Sequence, residues 1–184
     1  MRSEKPQPKR KSTQRSFHKD AAAFRREGSN QEVIAMLHNI RSLQNVGAMF
    51  RTADAAGIQR IILTGYTPTP LNLLGEVRTE FAKTALGAER SVQWEQKKNI
   101  SSVISQLKSE GHNIYAIEET MGAKNIFTYR TKKPCAFVVG NEVTGLSRAV
   151  LVKCDAVLAI PMKGIKESLN VSVAFGIAAY EIVK

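Results

Sequence analysis

The runs that most restrict how this chain can fold are "CAFVVGN" at residues 135–141 and "AVLAIPM" at residues 156–162. Both are apolar at nearly every position, without the polar alternation of a strand that faces water on one side. Such runs fit parallel strands covered on both faces. The rest of the body agrees with them. "EVIAMLHNI", "RIILTGY", "SVQWE" and "HNIYAIEE" read as further strands. Between the first two, "NVGAMFRTADAAG" has helical spacing and stops at Gly57. "TEFAKTALGAE" reads as a second helix, and "NISSVISQLKSEG" as a third, with an Asn or Ser cap and a Gly stop. Strands alternating with helices specify an α/β domain on a mostly parallel sheet, flanked by helices.

At 184 residues and 43% hydrophobic content, the chain suffices for one domain with a full core. Residues 1–30 read as a separate, largely disordered basic tail, with nine Lys or Arg against three acids and little apolar content. The piece "HKDAAAFRREG" within it could form a short helix. Residues 31–184 form the folded domain. The net charge of +11 suggests nucleic acid or another anionic partner, and much of it sits in the tail. Cys135 and Cys154 fit no redox or zinc spacing and read as small core residues of a protein in a reducing, cytoplasmic setting. No run approaches the roughly 20 apolar residues of a membrane span.

In open α/β sheets, ligands bind beyond the carboxyl ends of the strands. Those ends read "HNIRSLQNVG", "EETMG", "GNEVTGLS" and "IPMKGIKESLN", and small and polar residues gather there. No GxGxxG follows the first strand, and no phosphate-binding GxxxxGK[ST] or GxSxG elbow is present. His18, His38 and His112 are scattered and specify no metal. The loops thus suit a neutral or weakly charged ligand held by backbone groups better than a triphosphate. The last stretch, from Val171, reads as a buried helix opened by Ser168 or Asn170, whose side chains favour helix starts. Either residue could cap the helix, hold a ligand, or do both.

Three segments make the reading specific: "NIRSLQNVGAMFRTADAAGI" (39–58), "FVVGNEVTGLS" (137–147) and "IPMKGIKESLNVSVAFGIAAYE" (160–181). In order and spacing they resemble the three motifs of the SpoU or TrmH family of RNA ribose 2′-O-methyltransferases, within the SPOUT superfamily. "KTALGAE" at 83–89 is similar as well. The resemblance implies a deep C-terminal trefoil knot over roughly residues 135–170. It further implies S-adenosylmethionine as cofactor and a homodimer with the active site near the subunit interface.

By the same resemblance, Asn45, Arg51, Glu142, Ser168 and Asn170 match the catalytic set. Arg51 would grip a phosphate of the target and stabilise a developing alkoxide, because a guanidinium does not give up its proton in proteins. Glu142 would order the site or the dimer interface. On its own it reads as a carboxylate starting a helix. Gly140, Ile160, Met162 and Leu169 match cofactor-binding positions, and Arg41 with Arg51 would touch RNA. No metal is implied. Transfer RNA and ribosomal RNA both remain substrates, with a slight lean to transfer RNA because the domain is small. A non-catalytic RNA-binding dimer of the same fold is the other reading.

Overall fold

The computed structural model describes residues 32–184. The basic tail of residues 1–30, with the short helix expected in it, lies outside them. Seven strands form one sheet in the order β3-β2-β1-β6-β4-β7-β5, and every pairing in it is parallel. In chain order the elements are β1 (Val33–His38), α1 (Leu43–Ala56), β2 (Arg60–Thr64), α2 (Thr79–Ala85), β3 (Gln93–Lys97) and α3 (Ile100–Ser109). They continue with β4 (Asn113–Ile117), β5 (Lys124–Asn125), β6 (Cys135–Val139), α4 (Arg148–Leu151), β7 (Ala156–Ala159) and α5 (Val171–Val183).

Why the central strands lack alternation is visible in the packing. Side chains on a strand point to opposite faces in turn. Ala35 and Leu37 of β1 and Phe137 and Val139 of β6 pack with Phe50 of α1, Phe81 of α2 and Phe175 of α5. Ile34, Met36, Ala136 and Val138 face the other way, against Val103 and Leu107 of α3 and Val150 of α4. Both faces of β1 and β6 are therefore dry. Cys135 is buried on the first face and Cys154 is half-buried; both are free thiols. Burial pushes each thiol up to about 11, as expected of core cysteines.

Three elements differ from the sequence expectation. The second helix ends at Ala85, because Leu86 takes the left-handed conformation at φ 49° and Gly87 follows at φ 95°. "LGAE" is thus a turn, and Glu89 is buried in it. The short β5 and α4 were not anticipated. Neither is long enough to carry a periodic signal. Among the described residues no helix is long and apolar enough to cross a membrane.

Helices α1 and α2 approach closely at Gly47. A Cβ there would stand 2.1 Å from Thr84 Oγ1 and 2.8 Å from the Phe81 carbonyl oxygen. Gly47→Ala should therefore lower unfolding stability by about 1–3 kcal/mol, the range for overpacking a filled interior. Urea denaturation measures this, and a wild-type midpoint would refute the close approach.

Candidate functional site

The sheet order makes β1, β6, β4 and β7 immediate neighbours. Their carboxyl ends carry the four polar segments read from the sequence, so the parallel sheet gathers residues about 100 positions apart on one edge. At that edge the chain after β6 makes a tight turn. Asn141, 8% exposed, shapes it: its Oδ1 accepts from the Val143 and Thr144 N–H groups, each at 2.8 Å. The Gly145 N–H returns to the Asn141 carbonyl at 3.0 Å. Two glycines make the turn possible. A Cβ on Gly140 would lie 2.7 Å from Gly145 C, and one on Gly145, at φ 61°, 2.6 Å from Glu118 Oε2.

The turn aims Glu142 at the N-terminus of α1. Its carboxylate accepts from the Arg41 N–H at 3.0 Å and the Ser42 N–H at 3.1 Å. The Asn45 side-chain amide donates to it at 3.0 Å. Ser42 is the N-cap of α1, its Oγ accepting from the Asn45 N–H at 3.2 Å. Glu142 does serve a helix start, then, but one 100 residues earlier and not its own. Burial opposes its charge. The N–H groups of Arg41 and Ser42 and the Asn45 amide outweigh that opposition and hold the carboxyl below its ordinary value.

Asn170 closes the group from the third segment. Its Nδ2 donates to Asn45 Oδ1 at 3.4 Å, and its Oδ1 accepts from the Ser172 N–H at 2.8 Å. Asn170 is therefore the N-cap of α5, and Ser168 is not. Ser168 lines the adjoining pocket instead, with Gly140, Glu142, Ile160, Met162 and Leu169. The expected cofactor-binding positions all border this one cavity.

Arg51 is elsewhere. It lies on an exposed stretch of α1 and lines a separate shallow groove with Thr52, Lys83 and Tyr180. Within one chain, Asn45, Glu142, Ser168 and Asn170 come together and Arg51 stays apart. Arg41 is exposed, and its backbone serves Glu142.

Sequence reading missed Glu118 and Asn141. Glu118 stands just past β4, lines the pocket, and accepts from the Leu146 N–H at 2.7 Å. Burial raises its carboxyl above the ordinary value, against the Leu146 and Glu119 N–H bonds. "EETMG" marked the right strand end, but nothing in that stretch singles out one carboxylate. Among the described residues, the pocket wall carries four carboxylates (Glu118, Glu119, Glu142 and Glu167), apolar Ile117, Val139 and Val171, and no Lys or Arg.

Fold and site together define a parallel α/β protein with an acidic, partly apolar pocket across the carboxyl ends of its central strands. A sequence profile of the SpoU rRNA methylase family matches residues 32–180, and the chain belongs to that family. Among its relatives, the 23S rRNA (guanosine-2′-O-)-methyltransferase RlmB of Haemophilus influenzae is 34% identical over 83% of this chain and 59% of its own length. The chain spans about three fifths of the length of the curated relatives it matches. The AdoMet-bound rRNA methyltransferase of Sinorhizobium meliloti superposes with a TM-score of 0.74 at 29% identity, over 82% of this chain and 55% of that one. The A. aeolicus TrmH/SpoU tRNA modifying enzyme does so with a TM-score of 0.74 at 26% identity, over 92% of this chain and 80% of its own.

The two carboxylates should respond to pH with opposite signs. The lowered Glu142 contributes stability that is complete above its unfolded value and lost as pH falls through its folded value. Wild type should therefore exceed Glu142→Gln most at neutral pH, with the gap narrowing on acidification. The raised Glu118 costs stability as pH rises from its unfolded through its folded value, so wild type should lose ground to Glu118→Gln in that window. Urea unfolding of both variants from acidic to neutral pH tests this; parallel profiles would contradict it.

Proposed function

We propose that this chain transfers a methyl group from S-adenosylmethionine to a ribose 2′-oxygen of RNA. The observation that carries the reading is the Glu142–Asn45–Asn170 bridge at the rim of the acidic, apolar pocket. Family membership supports it, as does the relative of known structure with AdoMet bound. The lining suits that cofactor. Carboxylates attract a sulfonium and an ammonium, apolar walls accept an adenine, and no cation is present in the lining to favour a phosphate-bearing ligand. The backbone of Gly140, Ile160 and Leu169 would hold it, with Met162 against its apolar parts. S-adenosylmethionine supplies a methyl group already activated by a positive sulfur.

The protein's own task is to bring the ribose oxygen into line, which removes much of the barrier through proximity. Asn45 and Asn170 are held amide to amide and keep polar atoms fixed at the rim, beside Ser168. Glu142 orders them and the start of α1. Arg51 keeps its proton, so it acts by charge: it grips the phosphate next to the target and stabilises the oxygen as its proton leaves.

Because Arg51 lies apart from the cluster in one chain, the site is completed by a homodimer. Helix α5 supports this with an exposed stripe, Val173 and Tyr180, that its own chain leaves uncovered. The second copy packs on that stripe and brings one subunit's Arg51 toward the other's pocket. Arg41, exposed at the same edge, adds an RNA contact.

The knot belongs to the same reading. A trefoil over residues 135–170 is in keeping with the contact that Asn170, at the end of the connection from β7 to α5, makes with Asn45. Residues 31–184 would be the catalytic domain and residues 1–30 an RNA-touching tail of a cytoplasmic enzyme. The lean to transfer RNA finds little support in the relatives. The 34% identical relative carries a ribosomal RNA name, so ribosomal RNA is the first substrate to test.

The test is methyl transfer from labelled S-adenosylmethionine to total ribosomal and total transfer RNA, assayed separately. Label should appear in one pool at an alkali-resistant ribose. Arg51→Ala should lower the rate by about 10²–10³, the loss typical of one transition-state stabiliser, with cofactor affinity retained. Cofactor binding without label in either pool would sink the reading.

A further inference from the structure

Tyr66 follows the end of β2, and its ring is 58% exposed. It is nonetheless among the most firmly held residues of the site edge. Its backbone N–H donates to Asn39 Oδ1 at 3.2 Å. Asn39 accepts it while in the left-handed region, at φ 57°, which asparagine enters more readily than most other side chains. Gly65, at φ 64°, leaves room for it; a Cβ there would stand 1.9 Å from Asn39 Oδ1. On the other side, the buried Thr67 hydroxyl donates to the Leu37 carbonyl at 2.9 Å and accepts from the Ile40 N–H at 3.0 Å. The Tyr66 hydroxyl itself accepts from Asn141 Nδ2 at 2.8 Å.

Asn39 and Asn141, which also serve His38 and the turn after β6, thus hold both ends of a residue that contributes little to the core. A non-glycine residue in the left-handed region, here Asn39, persists where the surroundings over-determine it, and such residues gather at functional sites. The ring is also in the right place. Asn141 borders the pocket and precedes Glu142, so the ring is tied through its hydroxyl to a pocket-lining residue, with its position set from both ends.

We propose that Tyr66 is a stacking platform for an RNA base next to the ribose presented to the pocket. This rests on the functional reading above. A ribose in a single-stranded loop can be turned into an edge pocket with its neighbouring bases splayed out, and such bases are typically held by stacking on aromatic rings. The net charge of +11 attracts the backbone without choosing where a base lies. A pinned ring does choose.

The experiment compares wild type, Tyr66→Ala and Tyr66→Phe by fluorescence anisotropy. The probes are a labelled stem–loop RNA with an all-adenosine loop and one with an all-uridine loop, titrated with salt. Wild type should prefer the adenosine loop, since purines stack more strongly. Tyr66→Ala should weaken its binding by roughly 5- to 150-fold, the loss of one base–aromatic stack, and erase the preference. Tyr66→Phe keeps the ring and should keep most of both. The salt slope should not change in either variant, because the ring carries no charge. Equal binding by Tyr66→Ala and wild type would overturn the proposal. So would an equal fall in both variants, which would make the hydroxyl a positioning group only, or a change of oligomeric state in Tyr66→Ala, which would make the ring a subunit contact. Wild type that methylates RNA yet binds neither stem–loop would overturn the stacking role alone. Wild type that neither methylates nor binds RNA would remove the functional reading with it.

Discussion

One carboxylate ties the site edge together. Glu142 lies on a turn after β6, yet its oxygens receive the first N–H groups of α1 and the side chain of Asn45. A helix N-terminus carries partial positive charge and unsatisfied donors, so a carboxylate there is favoured by both. That satisfaction is why a charged group persists half-buried at this edge. It also welds the end of one strand to the start of a helix from another part of the chain. Asn170 then attaches the end of the last loop to the same Asn45. Without Glu142, the segments at residues 41–45, 140–146 and 168–170 would share an edge but not a geometry.

The pocket beside this joint runs against the charge of the whole protein. The chain carries 27 Lys or Arg against 16 Asp or Glu, yet among the described residues four carboxylates and no basic residue line the cavity. An overall positive field draws a polyanion to the surface. A locally negative cavity discourages phosphate from entering and favours a small cation. The two fields thus suit two different ligands, a large anionic one outside and a small cationic one within. Glu118 shows how far the cavity is desolvated, since burial raises its carboxyl despite its N–H bonds from Leu146 and Glu119.

Much of the fold was legible because it follows from local rules. The unbroken apolar runs at residues 135–139 and 156–159 could be satisfied only by cover on both faces, and they became β6 and β7. Asn99 and Gly111 bracket α3 as capping chemistry expects. The premature end of α2 was not legible. It depends on Leu86 adopting a left-handed conformation that nothing about leucine favours. The site was legible in part. Gly140, Glu142, Ile160, Met162, Ser168 and Leu169 all border one cavity, as the motif resemblance implied. Glu118 and Asn141 were not singled out, because an isolated carboxylate or amide at a strand end has no spacing signature.

By itself, then, the sequence determined the class of the fold, the end of the sheet that carries polar chemistry, and the residues worth watching there. These depend on hydrophobic period, caps and turn residues, which act over a few positions. The tertiary structure alone decided which of those residues meet. The parallel order brings β1, β6, β4 and β7 side by side. It thereby makes a helix cap of Glu142, joins Asn45 to Asn170, leaves Arg51 in a separate groove, and ties the Tyr66 hydroxyl to Asn141. Contacts across about 100 residues are set by strand order and packing of the whole sheet, and no local pattern encodes them.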